Sequence, residues 1–415
     1  MKRVKYAIVF CAMGIICLGF SGCSTVDVVK VEMKMQTGNY QEVIPILEDY
    51  LTKNPDSVWA RTQLGKAYLH TEDLDLAIDS LEKAQKIQPK EPRSTLFLGL
   101  AYIGKEQYEK AIATWEGYQS DKPIISAAIK KQLTLLKITY SRKMAKKALI
   151  EEKKLATITP TKNTFAVCYY ADASPNNSYR AFQKALAAMV ISDLAKIDSI
   201  RIVERIKLQS LFYEMNLGQI GIVDSSTAPR VGHLIGAENL VVGTLSSGSI
   251  RADTSLASTS KGEVIGNAAI TVREDEFFNL PKEIAINVAG MAGLKLTGAQ
   301  LELLGKDHTR SYEAVISYGN ALIALDSDNW KDAREYFEKA LSADPQWILA
   351  MEGYQSCPPD SSPAIAQLIA MPSLSMMKTY MTAVDTAIQN QAEEDRRNEE
   401  IKKSGQGDGG GGGGH

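Results

Sequence analysis

Residues 55–89 read PDSVWARTQLGKAYLHTEDLDLAIDSLEKAQKIQP and form one unit of an internal repeat. The prolines Pro55, Pro89 and Pro123 are each separated by 34 residues, and small and apolar residues recur in register between them. A fixed period of this length is typical of stacked helical hairpins, because a single hairpin cannot bury its own apolar face. Each proline marks the end of a hairpin, since it cannot continue a helix. The first part of the chain is therefore predicted to be an α-solenoid.

The residues that recur resemble the signature of tetratricopeptide (TPR) repeats. Gly65 and Ala77 are small where the two helices of one hairpin are expected to cross. We predict TPR repeats over residues 23–125, of which the first is degenerate. The other matching positions in the second and third repeats are Leu64, Tyr68, Leu81, Leu98, Gly99, Tyr102, Ala111 and Trp115.

This resemblance implies a groove that binds a protein partner. TPR arrays bind peptides on the concave face that the first helices of the repeats form. The alternative is that the same residues pack against another domain of this chain. The positions carried over are Trp59, Thr62, Lys66, Leu69 and His70 in the second repeat, and Arg93, Leu96, Leu100 and Ile103 in the third.

The N-terminus has the features of an export signal. Lys2, Arg3 and Lys5 precede an apolar run over residues 6–18. This run is shorter than the roughly 20 residues that a membrane-spanning helix needs, so a cleaved signal is favoured over a permanent transmembrane anchor.

The end of this signal, Phe20-Ser21-Gly22-Cys23, resembles the lipobox of bacterial lipoproteins. In those proteins small residues precede a cysteine that is acylated and becomes the mature N-terminus. The resemblance implies that residues 1–22 are a signal peptide and that Cys23 carries the lipid. Because Ser24 is not the aspartate of inner-membrane retention, it also implies the periplasmic face of the outer membrane as the destination.

The mature chain would be mildly acidic and of ordinary globular composition. Removing residues 1–22 leaves 393 residues and changes the formal net charge from −2 to −5, because three cations leave with the signal. In the full chain 45% of residues are hydrophobic and 23% charged, which fits a globular protein of two or three domains. The acidic balance gives no support for nucleic-acid binding.

After removal of residues 1–22, two cysteines remain besides Cys23. Two possibilities are open for the state of their thiols. A disulfide between Cys168 and Cys357 would be permitted outside the cytoplasm. Cys168, however, lies in an apolar run over residues 164–170, which favours a buried and unreactive thiol.

A basic stretch at residues 126–161 is predicted to form a helical linker. Its lysines and arginines would suit anionic lipid. Acidic interruptions and an apolar stripe at Leu135, Leu136 and Ile138 favour instead a solvated connecting helix.

The pattern changes at residue 162 to short apolar runs that alternate with helical periods, which predicts an α/β domain over residues 162–297. Strands are predicted at 164–170, 199–204, 239–246, 249–255 and 263–273, and helices at about 182–194, 206–215, 228–235 and 280–296.

The order of these elements resembles the curli-secretion (CsgG-like) superfamily. The motifs that carry the resemblance are residues 202–205, 236–244 and 261–264. It implies an outer-membrane lipoprotein that forms homo-oligomeric rings for secretion. Some members form pores by inserting long amphipathic hairpins. Here Arg251 and Asp253 interrupt the one clear hairpin, so we expect a periplasmic member that is tethered by its lipid.

A further TPR hairpin is predicted at residues 310–350, on the pattern of Tyr318, Ala321, Phe337 and Pro345. One hairpin needs a neighbour, so it must pack on the middle domain, on another helix or on a partner. We predict a helical extension over residues 351–403 and a disordered glycine-rich tail over 404–415.

Catalytic signatures are missing from the sequence, and we expect no enzyme, no cofactor and no metal site. There is no Walker loop, no GxGxxG after a strand, no GxSxG elbow and no HExxH helix. The four histidines are scattered. Glu204 and Arg205 are predicted to form an ion pair at a strand-to-helix turn, or a contact between subunits, rather than a catalytic pair.

The predicted fold is a multidomain α+β fold, with an N-terminal TPR α-solenoid, a central α/β CsgG-like domain and a C-terminal TPR hairpin. The predicted function is a non-enzymatic scaffold in outer-membrane assembly or secretion. It would contact a protein partner through the TPR groove and the membrane through the lipid. The alternatives are a CsgG-type secretion pore and a cell-wall enzyme with TPR adaptors.

Overall fold

A computed structural model describes residues 25–89, 91–116, 118, 123–215, 227–247 and 249–357. The chain divides into two compact units, Met1–Lys105 and Glu106–His415. The predicted lipidation site Cys23, the predicted extension beyond residue 357 and the glycine-rich tail lie outside the described residues.

The first unit consists of helices that follow one another through short turns, as the repeat period predicts. Gly65 lies where two of them cross, since a Cβ there would be 2.4 Å from Leu81 Cγ. Val43 and Leu47 are fully buried, which fits their predicted places in the degenerate repeat. The helices are α1 (Thr25–Gln36), α2 (Tyr40–Lys53), α3 (Val58–Thr71), α4 (Leu74–Ile87) and α5 (Pro92–Gly104).

A hydrogen bond recurs with the repeat and joins neighbouring hairpins of this unit. The Tyr68 hydroxyl donates to Glu48 Oε1 over 2.6 Å, and the Tyr102 hydroxyl donates to Glu82 Oε1 over 2.5 Å. The pKa of both tyrosine hydroxyls is raised, mainly by burial and to a lesser extent by the adjacent carboxylate. Each bond ties the first helix of one repeat to the second helix of the repeat before it.

The second unit contains the sheet and the remaining helices. Its helices are α6 (Tyr108–Glu116), α7 (Pro123–Ile150), α8 (Glu152–Leu155), α9 (Arg180–Leu194), α10 (Arg205–Glu214), α11 (Ala228–Ile235), α12 (Leu280–Met291), α13 (Gly298–Leu304), α14 (Tyr312–Asp326), α15 (Trp330–Ala343) and α16 (Ile348–Ser356). Its strands are β1 (Thr161–Val167), β2 (Ala171–Asp172), β3 (Arg201–Ile202), β4 (Ala237–Ser246), β5 (Ile250–Ser258) and β6 (Glu263–Val272).

The sheet is mixed, with strand order β3-β1-β4-β5-β6 and β2 paired to β4. β1 runs parallel to β3 and β4, with Phe165 opposite Ile202 and Val167 opposite Val241. β4, β5 and β6 form an antiparallel meander. The strands and helices predicted from periodicity are present, although β3 is only two residues long.

Side chains alternate across β1, and helices cover both faces of the sheet. Phe165 and Val167 belong to the core under α9 and α12. Ala166 and Cys168 belong to a second core under α10 and α11. The second unit is therefore a three-layer α/β/α arrangement, and together with the helical first unit this confirms the predicted α+β fold class.

The C-terminal hairpin α14–α15 packs on α9. A Cβ on Gly319 would lie 2.0 Å from the carbonyl oxygen of Ala181, so only glycine permits this approach of the two helix backbones. Tyr318 contacts Trp347 and Phe337 on the other side of the hairpin. The neighbour that the hairpin requires is thus the α/β domain of the same chain.

The basic helix α7 is a packed element of the second unit rather than the solvated linker that its charge suggested. It lies against α10, α11 and α16, and Leu135 and Leu136 are buried. Three of its cations form ion pairs with acidic groups of the same unit. The ion pairs are Lys137 with Glu204 at 2.9 Å, Arg142 with Asp328 at 2.8 Å and Lys143 with Glu106 at 3.2 Å.

The two thiols are buried, and no disulfide joins them. Cys168 lies in the core under α10 and α11, whereas Cys357 lies in the core under α9 and α12. Burial raises the pKa of the Cys168 thiol to about 12, so it stays protonated and unreactive at neutral pH.

Candidate functional site

The positions carried over from the TPR groove divide into two groups by burial. Trp59, Lys66 and Arg93 are half-buried. A buried side chain cannot contact a partner, so only these three residues of the candidate surface are accessible. The other six positions are Thr62 at 4%, Leu69 at 1%, His70 at 8%, Leu96 at 0%, Leu100 at 1% and Ile103 at 1% exposed.

The structure gives a reason for part of this burial. The His70 ring stacks on Tyr40 of α2, with ring centroids 3.7 Å apart and planes 3° from parallel. Every residue of α5 from Ser94 to Ile103 is buried. A pattern taken from the repeat identifies the face of a helix, but it does not report which neighbours cover that face.

Two of the three accessible residues contact aromatic side chains. The Lys66 ammonium is 6.0 Å from the centre of the Phe97 ring. Arg93 is four residues before Phe97 on α5, and the Phe97 side chain is buried. On α3, the Trp59 ring meets Tyr50 edge-on at 5.9 Å. Two cations and an indole are suited to a ligand that carries negative charge and an apolar side chain.

A second cluster, which the sequence did not reveal, is a buried ion network between α14 and the α/β domain. Asp326 is the last residue of α14; its side chain is 2% exposed and accepts hydrogen bonds through both carboxylate oxygens. Arg205 Nη1 donates to one oxygen over 2.6 Å, and Lys184 Nζ donates to the other over 2.9 Å. The Tyr169 hydroxyl lies 3.0 Å from Arg205 and 3.2 Å from Asp326.

This network holds two cations against one carboxylate. Burial lowers the pKa of Lys184 to about 8, and Asp326 offsets only part of that effect. For Asp326 itself, burial favours the neutral acid, but Arg205 and Lys184 outweigh it and the pKa is lowered. The Lys184 ammonium also lies 3.6 Å from the centre of the Tyr169 ring, which stabilises the charge in place of water.

The predicted ion pair between Glu204 and Arg205 is wrong. Arg205 pairs with Asp326, and Glu204 pairs with Lys137 of α7, so the two neighbours bind different elements. The residue that could have pointed to this network is Lys184. It lies in α9 within residues 181–190, ten consecutive positions that are all buried. A lysine in such a helix needs a buried partner.

The histidines of the described chain are separate from one another. His70 stacks on Tyr40, and His308 Nε2 lies 2.9 Å from Asp193 Oδ1. Within the described ranges, no group of three or more His, Cys, Asp or Glu side chains could hold a metal ion. Nor does any helix in the part of the chain that the structure covers have the length and apolar character needed to cross a membrane.

Comparison with protein families gives two matches. Residues 138–276 match the family model of the curli production assembly/transport component CsgG, and residues 34–93 match a tetratricopeptide repeat model. The first match begins inside α7, which agrees with the packing of that helix in the second unit. Both families are of non-catalytic types, and TPR domains generally bind protein partners.

Among curated proteins, a tetratricopeptide repeat and J domain-containing co-chaperone of Fusarium oxysporum f. sp. lycopersici is 31% identical over 140 residues. The match covers 31% of this chain and 26% of the co-chaperone, so the chain spans about a quarter of the length of that relative.

Solved structures with similarity include a tetratricopeptide repeat protein from Parabacteroides merdae, at 13% identity and a TM-score of 0.26, which covers 80% of this chain and 97% of that one. The C-terminal part of a TPR repeat-containing protein from Cytophaga hutchinsonii has 13% identity and a TM-score of 0.24. The match covers 78% of this chain and 98% of that one. The family matches show that this chain carries tetratricopeptide repeats and a CsgG-type domain.

Proposed function

We propose that the protein is a membrane-anchored periplasmic lipoprotein that acts as a non-enzymatic scaffold in outer-membrane assembly or secretion. The observation that carries this proposal is the presence of TPR repeats and a CsgG-type domain in one chain. The repeats suggest protein–protein interaction, and the CsgG match suggests a secretion-related role.

The proposed anchor is lipid on Cys23. This residue follows an export signal and stands two positions before α1, so the first repeat begins next to the lipid. One acyl chain binds a membrane only marginally, whereas two or more hold a protein stably. The outer-membrane association of the CsgG family supports an envelope location, and the periplasmic face follows from the export signal and Ser24.

The proposed partner is a protein that presents an acidic segment with an apolar side chain. Trp59, Lys66 and Arg93 are the accessible groove positions, and two of them are cations. The α/β domain would assemble the protein with further copies, so that several TPR arrays recruit the partner together.

The test is capture of the partner from native membranes. The lipidated full chain is crosslinked in its host, purified, and its companions are identified by mass spectrometry. A Lys66→Glu/Arg93→Glu variant should lose the TPR-dependent partner at least tenfold, because two attractive charges become repulsive. Lys86→Glu, an exposed lysine of α4, is the control and should retain it. Equal recovery with both variants would refute the assignment of the groove.

A further inference from the structure

The end of α7 and the short helix α8 carry an exposed apolar side chain among lysines. Ile150, the last residue of α7, is 79% exposed, the largest fraction among the large apolar side chains that the structure describes. Lys146 and Lys147 lie four and three residues before it, so they are its neighbours on the helix surface. Lys153 and Lys154 follow on α8, and all four lysines are exposed. These five residues are called the lysine patch.

Three of the four lysines have no acidic partner in the described part of the chain. No ion pair within the described ranges involves Lys146, Lys153 or Lys154. Lys147 differs, since Glu109 lies close enough to interact with it electrostatically. The positive charge of the patch is therefore available to a ligand from outside the chain.

The two glutamates between the lysines weaken this charge little. Glu152 accepts two hydrogen bonds from Arg230 of α11, over 2.6 and 2.9 Å, so its charge is already neutralised. Glu151 is half-buried and is the one carboxylate that remains within the patch. Four lysines against one carboxylate leave a net positive surface, which suits an anionic partner.

The make-up of the patch favours a membrane over a protein as the partner. Its cations are all lysines, which are depleted at protein interfaces, where arginine and aromatic residues are enriched. The nearby Arg142 and Arg230 are instead paired with acidic groups of the same unit. A lysine ammonium is a compact charge on a flexible stem and needs no fixed geometry, so it fits mobile phosphate headgroups.

Helix electrostatics explain only part of this arrangement. A cation near the C-terminal end of a helix is stabilised by the helix dipole, which accounts for Lys147 in the last turn of α7. It does not account for the exposure of Ile150, or for Ile158 at 50% exposed. The Ile158 amide donates to the Leu155 carbonyl over 3.0 Å, so this second isoleucine directly continues the turn of α8. Exposed apolar side chains among lysines are typical of a membrane-surface segment.

We propose that the lysine patch docks on anionic phospholipid headgroups, with Ile150 inserted at the boundary between headgroups and acyl chains. The second unit thereby has a membrane contact of its own. This contact rests on the proposed function, because lipid on Cys23 holds the chain near a membrane. Attraction between lysines and anionic lipid acts only within about one Debye length, roughly 8 Å, so the patch strengthens an anchor that is already in place.

The first test places a fluorescent reporter at residue 150 of the lipidated full chain. Ile150→Cys is labelled with a nitrobenzoxadiazole dye, while Cys168 and Cys357 are buried and do not react. The protein is reconstituted into vesicles of phosphatidylethanolamine and phosphatidylglycerol, in a three-to-one ratio, that contain a lipid with a spin label on its acyl chain. The dye should be quenched, because insertion of residue 150 brings it to the depth of the spin label.

The matched control for the reporter is Ile348→Cys. Ile348 is 68% exposed and lies at the start of α16. This helix contacts the N-terminal half of α7, where Lys130 donates to Gln355 over 2.9 Å. Lys130 is twenty residues before Ile150, or about 30 Å along the helix. Quenching at residue 348 should be about threefold weaker than at residue 150.

A second test reverses the charge of the patch while the reporter stays at residue 150. Lys146→Glu/Lys153→Glu/Lys154→Glu should reduce the quenching to the level found at residue 348, because attraction to the headgroups becomes repulsion. The control changes the net charge by the same amount at three exposed lysines elsewhere in the second unit and should keep the quenching. These lysines are Lys295, Lys306 and Lys331.

The lipid composition decides what the patch binds. Vesicles of phosphatidylcholine alone should give no quenching at residue 150, since they offer no net negative charge. Quenching that persists in those vesicles, equal quenching at residues 150 and 348, or quenching that survives reversal of the patch would overturn the proposal. If an acidic protein is the true partner, the purified chain will show no quenching on vesicles, and the proposal is wrong.

Failure of the patch and failure of the anchor give different results. Flotation of the chain with the vesicles reports the lipid on Cys23, whereas quenching reports the position of residue 150. A chain that floats without quenching keeps the anchor of the proposed function and rules out the patch. A chain purified from its host that floats only when the patch is intact would support the patch and contradict the lipid anchor.

Discussion

At the scale of single residues, Gly319 lies at a close approach between the backbones of α14 and α9. A Cβ at this position would lie 2.0 Å from the Ala181 carbonyl oxygen, which is backbone and cannot rotate away. Gly319→Ala should therefore lower the free energy of unfolding by roughly 1–3 kcal/mol, although alanine favours a helix. Urea denaturation measures the change.

The control for Gly319 is Gly290 of α12, where an added Cβ meets nothing within 4 Å. Gly290→Ala should raise the free energy of unfolding by up to about 1 kcal/mol, because alanine is the better helix former. If the two substitutions had the same sign, the close approach of α14 and α9 would not be what requires glycine.

The second residue-scale prediction concerns Lys184 and pH. Its pKa is about 8 in the folded protein, against the ordinary lysine value of 10.5 in the unfolded chain. Below pH 8 both states are protonated and the burial of the charge is fully unfavourable. Between pH 8 and 10.5 the unfolded chain binds the extra proton, so stability rises with pH, by roughly 3 kcal/mol over the whole window.

Lys184→Met is the matched comparison for this pH effect. The free energy of unfolding of the unmodified chain minus that of the variant should increase from about pH 7 to about pH 10. Tyr170, whose raised pKa acts in the opposite direction, has no contact with Lys184 and is common to both proteins, so its effect cancels. If this difference in unfolding free energy stays constant with pH, Lys184 does not carry a buried positive charge in the folded protein.

At the scale of elements, Asp326 fastens the hairpin α14–α15 to the α/β domain. Asp326→Asn would leave Lys184 and Arg205 without a carboxylate, and breaking a buried ion pair in this way costs about 3–5 kcal/mol. We expect the hairpin to detach before the sheet unfolds, so limited proteolysis should cut near residues 305–311.

The neighbouring aspartate supplies the control for this prediction. Asp328 is 41% exposed and pairs with Arg142 at 2.8 Å. Because exposed pairs contribute about 0–1 kcal/mol, Asp328→Asn should leave the proteolysis pattern unchanged. Faster cleavage in both variants would mean that the charge of this turn, and not the buried network, retains the hairpin.

The same scale shows what sequence could and could not predict. Local periodicity identified α9 to α12 and the strands β1, β4, β5 and β6, because their patterns depend on which face is buried. It did not identify the partner of Arg205, since Asp326 is 121 residues away. It also treated α7 as solvated, because the charges of a helix do not reveal that Glu204 and Asp328 lie opposite them.

At the scale of the whole molecule, the combination of repeats and CsgG-type domain could be predicted from residues alone, and the family matches confirm it. The surface of the groove could not. Leu96, Leu100 and Ile103 occupy the expected helix positions and yet are buried. A repeat signature encodes the packing within a hairpin, whereas the exposure of its outer positions depends on the rest of the fold.

The anchor is a prediction for the intact protein in its host. Cys23→Ser should move the protein from the membrane fraction to the soluble fraction, because each buried CH₂ of the lipid contributes about 0.8 kcal/mol. Ser24→Ala is the control and should remain with the membrane. Mass spectrometry of the N-terminal peptide identifies the acyl chains, and an unmodified Cys23 sulfur in native protein would contradict the anchor.

The ion network around Asp326 also sets an order for the synthesis of this protein. Lys184 and Arg205 are made 142 and 121 residues before the carboxylate that neutralises them. A nascent chain that has reached only residue 276, where the CsgG match ends, therefore holds two cations that water must still solvate. The buried network is therefore incomplete until Asp326 has been translated, and we expect the core around Lys184 and Arg205 to close only then.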